Sequence, residues 1–229
     1  MYFNFLADEV DNLTYVTTIA SIIAVVLAIG LLVLICLTNK KLSSKTLAYA
    51  GVSVALSFVL SLIKVSPVTY GGSITLASML PIIIFCYFYG LFPSLIVGVV
   101  YGLLQFLSDP YVLTPFTFIL DYLLAFLSVA IVPIIRKFSN KKYSLLLAIL
   151  CTYVLRFLFH LVSGVIYFNM GAVWAELPTN TAFGYSFLYQ VVYLVPDAII
   201  TTLVAFTLIK TNVLPKLEKL MLKTTENAN

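Results

Sequence analysis

Asp121, Arg156 and His160 stand inside stretches otherwise apolar enough to cross a bilayer, and His160 is the sole histidine of the chain. Arg156 and His160 lie four positions apart, so a helix puts both on one face, a turn from each other. Ionisable groups at bilayer depth cost about 2.5–3.5 kcal/mol each on insertion scales, so they face a partner or a watery cavity. A second segment supplies the Asp121 carboxylate, followed by Tyr122. A third supplies Tyr185, Tyr189, Gln190 and Tyr193, a stripe of aromatic faces, hydroxyls and one amide. A carboxylate among aromatic walls can hold an organic cation, by counter-charge and by cation–π attraction of about 0.5–2 kcal/mol per ring. Two plainer readings stand beside this one: Asp121 pairs with Arg156 as a structural ion pair, and the tyrosine stripe is packing. Asp197, directly after Pro196, is read as serving a broken-helix backbone or a basic group, with no substrate role.

The elements that position these residues are membrane spans. The 229 residues are 62% hydrophobic and 10% charged, against about 25% charged in soluble domains, and mean hydropathy is +1.10. An all-α, multi-pass membrane protein is expected. Apolar runs place spans at about 15–37, 46–63, 74–89, 94–107, 114–135, 144–168 and 185–209. Between them lie a Gly- and Tyr-containing loop over 64–73, the turn Ser108-Asp109-Pro110, a basic loop from Arg136 to Lys142 and a polar loop over 169–184. A lysine-rich, amphiphilic tail follows Lys210. Gly98 and Gly102 form a GxxxG pattern suited to tight helix packing. Gly51 and Ala55 form a similar small-residue pair on the second span.

Lysines 40–45, the 136–142 loop and the tail together hold eleven of the thirteen Lys and Arg residues. By the positive-inside rule these face the cytoplasm, with the acidic N-terminus outside. The polar positions of the last three spans then converge near the outer face. Cys36, Cys86 and Cys151 sit in apolar runs without CxxC or Cys/His spacing and are read as small apolar fillers. No P-loop, no metal cluster and no nucleophile–base pair is visible, so an enzyme is disfavoured and no cofactor is expected. No nucleic-acid partner is expected either, because the basic residues sit at segment ends.

Gly71-Gly-Ser-Ile-Thr75 with Met79-Leu-Pro81, Leu120-Asp-Tyr-Leu-Leu-Ala-Phe126, Arg156-Phe-Leu-Phe-His160 with Ser163-Gly-Val-Ile166, and Tyr185-Ser-Phe-Leu-Tyr189 occur in this order. Together, over about residues 45–210, they resemble the thiamine-specific S component of energy-coupling factor (ECF) transporters. The resemblance implies a six-helix core that binds the vitamin near the outer face. It also implies association with a T component and two ATPase subunits. Asp121 then stands at the acidic position opposite the thiazolium, with Tyr122 following as in the family. His160 matches a ring-contacting histidine and Tyr185 a hydrogen-bonding tyrosine. Phe168 replaces a stacking tryptophan, Gln190 an asparagine, and Gly72 falls where some members place a tryptophan. Gly51 and Ala55 match the small-residue motif that meets the T component, an AxxxA in which glycine departs mildly.

The implied organisation is an outer tail and extra helix over 1–44, a six-helix membrane domain over 45–210 and a cytoplasmic basic tail over 211–229. The span at about 14–38 has no counterpart in the six-helix core. The expected function is high-affinity thiamine capture at the cell membrane. A thiamine precursor or another vitamin as ligand, and a non-transporting scaffold, are the alternatives.

Overall fold

The computed structural model describes residues 42–67, 72–139, 143–171 and 177–226, together with Ile22, Val26 and Gly30, which are helical. The rest of the expected N-terminal span, Lys40, Lys41, Gly71, Lys141, Lys142 and Trp174 lie outside the described residues.

Helix α1 (Ser44–Leu62) begins at Ser43, whose hydroxyl accepts from the Thr46 N–H. Strands β1 (Lys64–Pro67) and β2 (Ser73–Thr75) pair antiparallel with a register irregularity between Lys64 and Ser66. Helix α2 (Leu80–Phe88) has Pro81 in its first turn, where a missing N–H has no helical partner to lose. Helix α3 runs Leu91–Ser108. Helix α4 (Pro115–Phe138) starts in a Thr114–Thr117 capping box and passes through a π-helical turn at Ile119–Leu124 and a 3-10 turn at Ser128–Ala130. Helices α5 (Ser144–Asn169) and α6 (Ala182–Lys210) are the longest and share the largest interface.

Five helices, α1 and α3 to α6, are long and apolar enough to span a membrane. With α2 they form the expected six-helix core. The apolar run at 74–89 was expected to span as one helix; instead, β2 and a set of turns take its first part and only nine residues are helical. Ala77, in those turns, is buried with φ of 53°. Such a conformation is unfavourable for a residue with a Cβ and is held here by its surroundings.

The burial pattern is that of a protein in lipid. Leu147, Leu150, Val154, Leu158 and Val162 form an exposed apolar stripe along α5, continued on α6 by Val192, Val195, Ile199 and Leu203. The polar groups are inside. Tyr101 donates to the Ser57 carbonyl, Gln105 to the Ser61 hydroxyl and the Ile82 N–H to the Ser57 hydroxyl, joining α1, α2 and α3. Among lipid chains, which attract apolar side chains as well as neighbouring helices do, such bonds and close packing hold helices together. Cys86 and Cys151 are free thiols.

The tail is helical over Val213–Glu226 (α7) and docks on the core. Asn212, at φ of 56°, makes the turn into it. Tyr49 and Tyr89 donate to the carbonyls of Leu220 and Met221. Arg136 bonds the Tyr87 carbonyl and Glu218 while its guanidinium lies over the Tyr87 ring at 4.7 Å.

The glycine pair of α3 is the seam on which α4 rests. A Cβ on Gly98 would come within 2.9 Å of the Phe126 carbonyl oxygen, and one on Gly102 within 1.9 Å of the Tyr122 carbonyl oxygen. Gly102→Ala therefore has to push α3 off the π-helical turn. We expect a loss of about 3 kcal/mol, at the upper end of overpacking costs, read as a lower melting temperature in detergent. Gly51→Ala is the control: nothing lies within 4 Å of that Cβ, and removing a helical glycine is expected to be neutral or slightly stabilising.

Candidate ligand-binding site

Five helices, α1 and α3 to α6, and the β-ribbon line a pocket of about 1010 Å³ of atom-free space, its open mouth included. Helix α5 contributes one face: Arg156, His160, Gly164 and Tyr167 recur at three- and four-residue spacing and all line it. Helix α6 contributes Tyr189, Gln190, Tyr193 and Asp197, and α4 contributes Asp121, Tyr122 and Phe126. Lys64 and Asp109, both exposed, pair across 3.4 Å at the rim.

The centre of the site is Asp121. It lies in the π-helical turn of α4, a distortion that recurs at functional sites. One carboxylate oxygen meets His160 Nδ1 at 2.7 Å, and the other accepts from Ser163 Oγ at 2.5 Å. His160 and Ser163 are three residues apart on α5, so one helix face grips both oxygens. In the tautomer that donates from Nδ1 to the carboxylate, Nε2 is left as an acceptor. Asp121 and His160 retain side-chain exposures of only 15% and 12%, so the carboxylate acts in a poorly solvated setting.

This geometry corrects the ion pair weighed from sequence: Asp121 pairs with His160, and no salt bridge joins it to Arg156. Helical spacing fixes neighbours on one helix but not the rotation of the next, and the π-helical turn alters that rotation. Arg156 instead lies over Phe126, 4.8 Å from the ring centroid, and 5.5 Å from the Tyr153 centroid.

Asp197 likewise does not serve its own helix, which runs unbroken through Pro196. It accepts from the Thr75 N–H at 2.9 Å, the Thr75 hydroxyl at 2.7 Å and the Tyr153 hydroxyl at 2.6 Å. The ribbon is thereby tied to α5 and α6 from inside the bundle.

Other expected residues divide into two groups. Asp121, Tyr122, His160 and Gln190 line the pocket, whereas Gly72, Phe168 and Tyr185 are not among its lining residues. The Tyr122 hydroxyl is occupied, donating to the Asp109 carbonyl and accepting from the Tyr111 N–H. Phe168 packs on Tyr185 at 5.1 Å, and Tyr185 stacks in turn on Tyr189 at 6.3 Å. Gly72 lies against the stripe, since a Cβ there would come within 3.0 Å of Tyr189 and Tyr193 atoms. Thr75, Ser78, Tyr101, Gln105, Tyr111, Ser163 and Tyr167 were not singled out individually from sequence. Ser163 had a signal, because H-x-x-S places two polar groups on one face of an apolar helix.

The buried polar side-chain atoms without a hydrogen-bond partner, among the described residues, are Arg156 Nε and Nη1, His160 Nε2 and Gln190 Oε1. All belong to pocket-lining residues. Leaving such groups unpaired costs about 1–3 kcal/mol each, so their gathering around one pocket makes it a candidate for ligand binding. Gln190 has its amide fixed, Nε2 donating to the His160 carbonyl and leaving Oε1 as an acceptor. The arrangement offers two acceptors, a guanidinium, a shielded carboxylate and tyrosine faces, suited to a small aromatic cation with hydrogen-bonding edges. Among the described residues no group of three or more His, Cys, Asp or Glu converges as a metal site.

The thiamine transporter ThiT of Bacillus subtilis (strain 168) is 29% identical over 153 residues, covering 62% of this chain and 77% of that protein. A solved structure of ThiT from Listeria monocytogenes shares the fold, with a TM-score of 0.61 at 23% identity over 76% of this chain and 96% of that one. Residues 47–217 match the sequence model of the thiamine transporter protein family (Thia_YuaJ), and the chain belongs to that family.

Proposed function

We propose that this protein is the thiamine-capturing S component of an ECF-type importer. It binds the vitamin from the outer face and hands it to a T component driven by two ATPases. The observation that carries the ligand assignment is the Asp121 carboxylate, held by His160 and Ser163 in a pocket whose remaining polar atoms lack partners. Thiamine brings a fixed positive charge, two aromatic rings and an amino-bearing ring edge, which complement these groups one for one. Family membership and the names of its relatives support the same reading.

The proposed orientation puts the Lys64–Asp109 rim outside and the basic Arg136 end with α7 in the cytoplasm. The positive-inside distribution of Lys and Arg supports it. In the proposed assembly residues 45–210 are the membrane domain, and Gly51 and Ala55 meet the T component. Both are exposed on α1, and the space beside Gly51 is open.

Titration of the purified protein with thiamine tests the reading by calorimetry. Saturable, tight binding of thiamine, with much weaker binding of its separate pyrimidine and thiazole halves, is the expected result. Absence of thiamine binding would remove the assignment, and preferential binding of one half would move it to a precursor. Copurification with a T component and two ATPases tests the assembly.

A further inference from the structure

We propose that Arg156 is a specificity-determining contact that reads hydrogen-bond acceptors on the ligand, and that in thiamine these are the pyrimidine ring nitrogens. The inference deepens the thiamine reading and rests on it.

Arg156 is 8% exposed and lines the pocket. Its Nε and Nη1 have no hydrogen-bond partner, and it forms no ion pair among the described residues. The Asp121 and Asp197 carboxylates of the pocket are engaged elsewhere, Asp121 by His160 and Ser163, Asp197 by Thr75 and Tyr153. The guanidinium lies over the Phe126 and Tyr153 rings, contacts that do not use the Nε and Nη1 donors. A guanidinium carries only donors and stays charged. Its partner must therefore present acceptors.

Charge then orients the ligand. The thiazolium is drawn to Asp121 and repelled by Arg156, so the neutral, acceptor-bearing part of thiamine falls toward the guanidinium. The alcohol oxygen and the pyrimidine nitrogens are its acceptors. Only the aminopyrimidine carries donor and acceptors on separate atoms of one rigid edge. It can give its amino hydrogens to Gln190 Oε1 or His160 Nε2 while a ring nitrogen accepts from Arg156. Donor thereby meets acceptor on both sides of the pocket.

The test is calorimetry with three ligands on the wild-type protein, Arg156→Met and Arg156→Lys. The ligands are thiamine, an analogue whose pyrimidine nitrogens are replaced by carbon, and an analogue lacking the alcohol oxygen. Arg156→Met is expected to weaken thiamine and the deoxy analogue by at least roughly 30-fold, the size of a hydrogen bond to a charged group. The ring-carbon analogue should bind the wild type and the variant alike within about threefold. Arg156→Lys keeps the charge and shows the same ligand pattern at smaller amplitude, and it serves alone if Arg156→Met does not fold. Equal losses for all three ligands, or none, would overturn the proposal, equal losses with a lowered ligand-free melting temperature marking a structural arginine. Insensitivity of the deoxy analogue in place of the ring-carbon one would overturn the ring assignment. A wild-type protein that binds no thiamine would instead remove the functional reading itself, an outcome distinct from all of these.

Discussion

Asp121→Asn is expected to weaken thiamine binding by roughly 10²–10³-fold, about 3–4 kcal/mol, while the ligand-free protein stays folded. The asparagine is nearly isosteric and can still accept from His160 or Ser163, so the wall between α4 and α5 persists. What disappears is the negative charge, at 15% side-chain exposure, where water screens it little. The thiazolium is a permanent cation and cannot adapt by losing a proton, so the whole desolvation cost of its charge falls on the complex. Calorimetry of the variant, with its melting temperature measured without ligand, checks both halves of the expectation. A variant that binds thiamine within threefold of wild type would mean the cation sits elsewhere.

Asp197→Ala is expected to be more damaging to the protein than to the ligand contacts. It strips partners from the Thr75 N–H, the Thr75 hydroxyl and the Tyr153 hydroxyl at once. Thr75 retains its bond to Ser78 and Tyr153 its bond to Thr201, so the backbone N–H is the most exposed to loss. At about 1–3 kcal/mol for each unpaired group, the sum reaches roughly 3–5 kcal/mol. That is a large part of a typical stability of about 5–15 kcal/mol. The variant should show a much lower melting temperature in detergent, and Asp197→Asn, which keeps one acceptor oxygen, an intermediate one. Equal melting of Asp197→Ala and wild type would show that the ribbon is not tied through this carboxylate.

Much of the architecture was legible because hydropathy reports lipid exposure directly. The spans expected at 46–63, 94–107, 114–135, 144–168 and 185–209 differ from α1, α3, α4, α5 and α6 by a few residues at most. The β-ribbon was not legible: Lys64–Pro67 and Ser73–Thr75 are too short for an alternation to stand out, and Pro67 argues against a strand except at an edge. The π-helical turn has no compositional mark, and it is what carries Asp121 to His160 rather than to Arg156. Within the site, His160 and Gln190 were found by being polar in apolar segments. Phe168 was carried over by resemblance and Tyr185 also read from the stripe; neither is among the lining residues, and a stripe on a helix shows which face is used but not how deep each ring lies. Asp197 was seen and given no ligand role; its partner Thr75 lies 122 residues away and Tyr153 44 residues away, which no local pattern predicts.

Helix α2 has nine residues and therefore extends about 14 Å, less than half of a hydrocarbon layer of about 30 Å. The other half of that crossing is ribbon and turns, whose backbone survives at such depth only because protein groups replace water around it. That half contributes Ser73, Thr75 and Ser78 to the pocket wall. The same feature bears on biogenesis. A segment this short cannot partition into lipid by itself, and its strand half exposes peptide groups until Asp197, far downstream, has been made. The Thr75 backbone N–H finds its partner only in Asp197, so this wall of the pocket depends on α6 being in place.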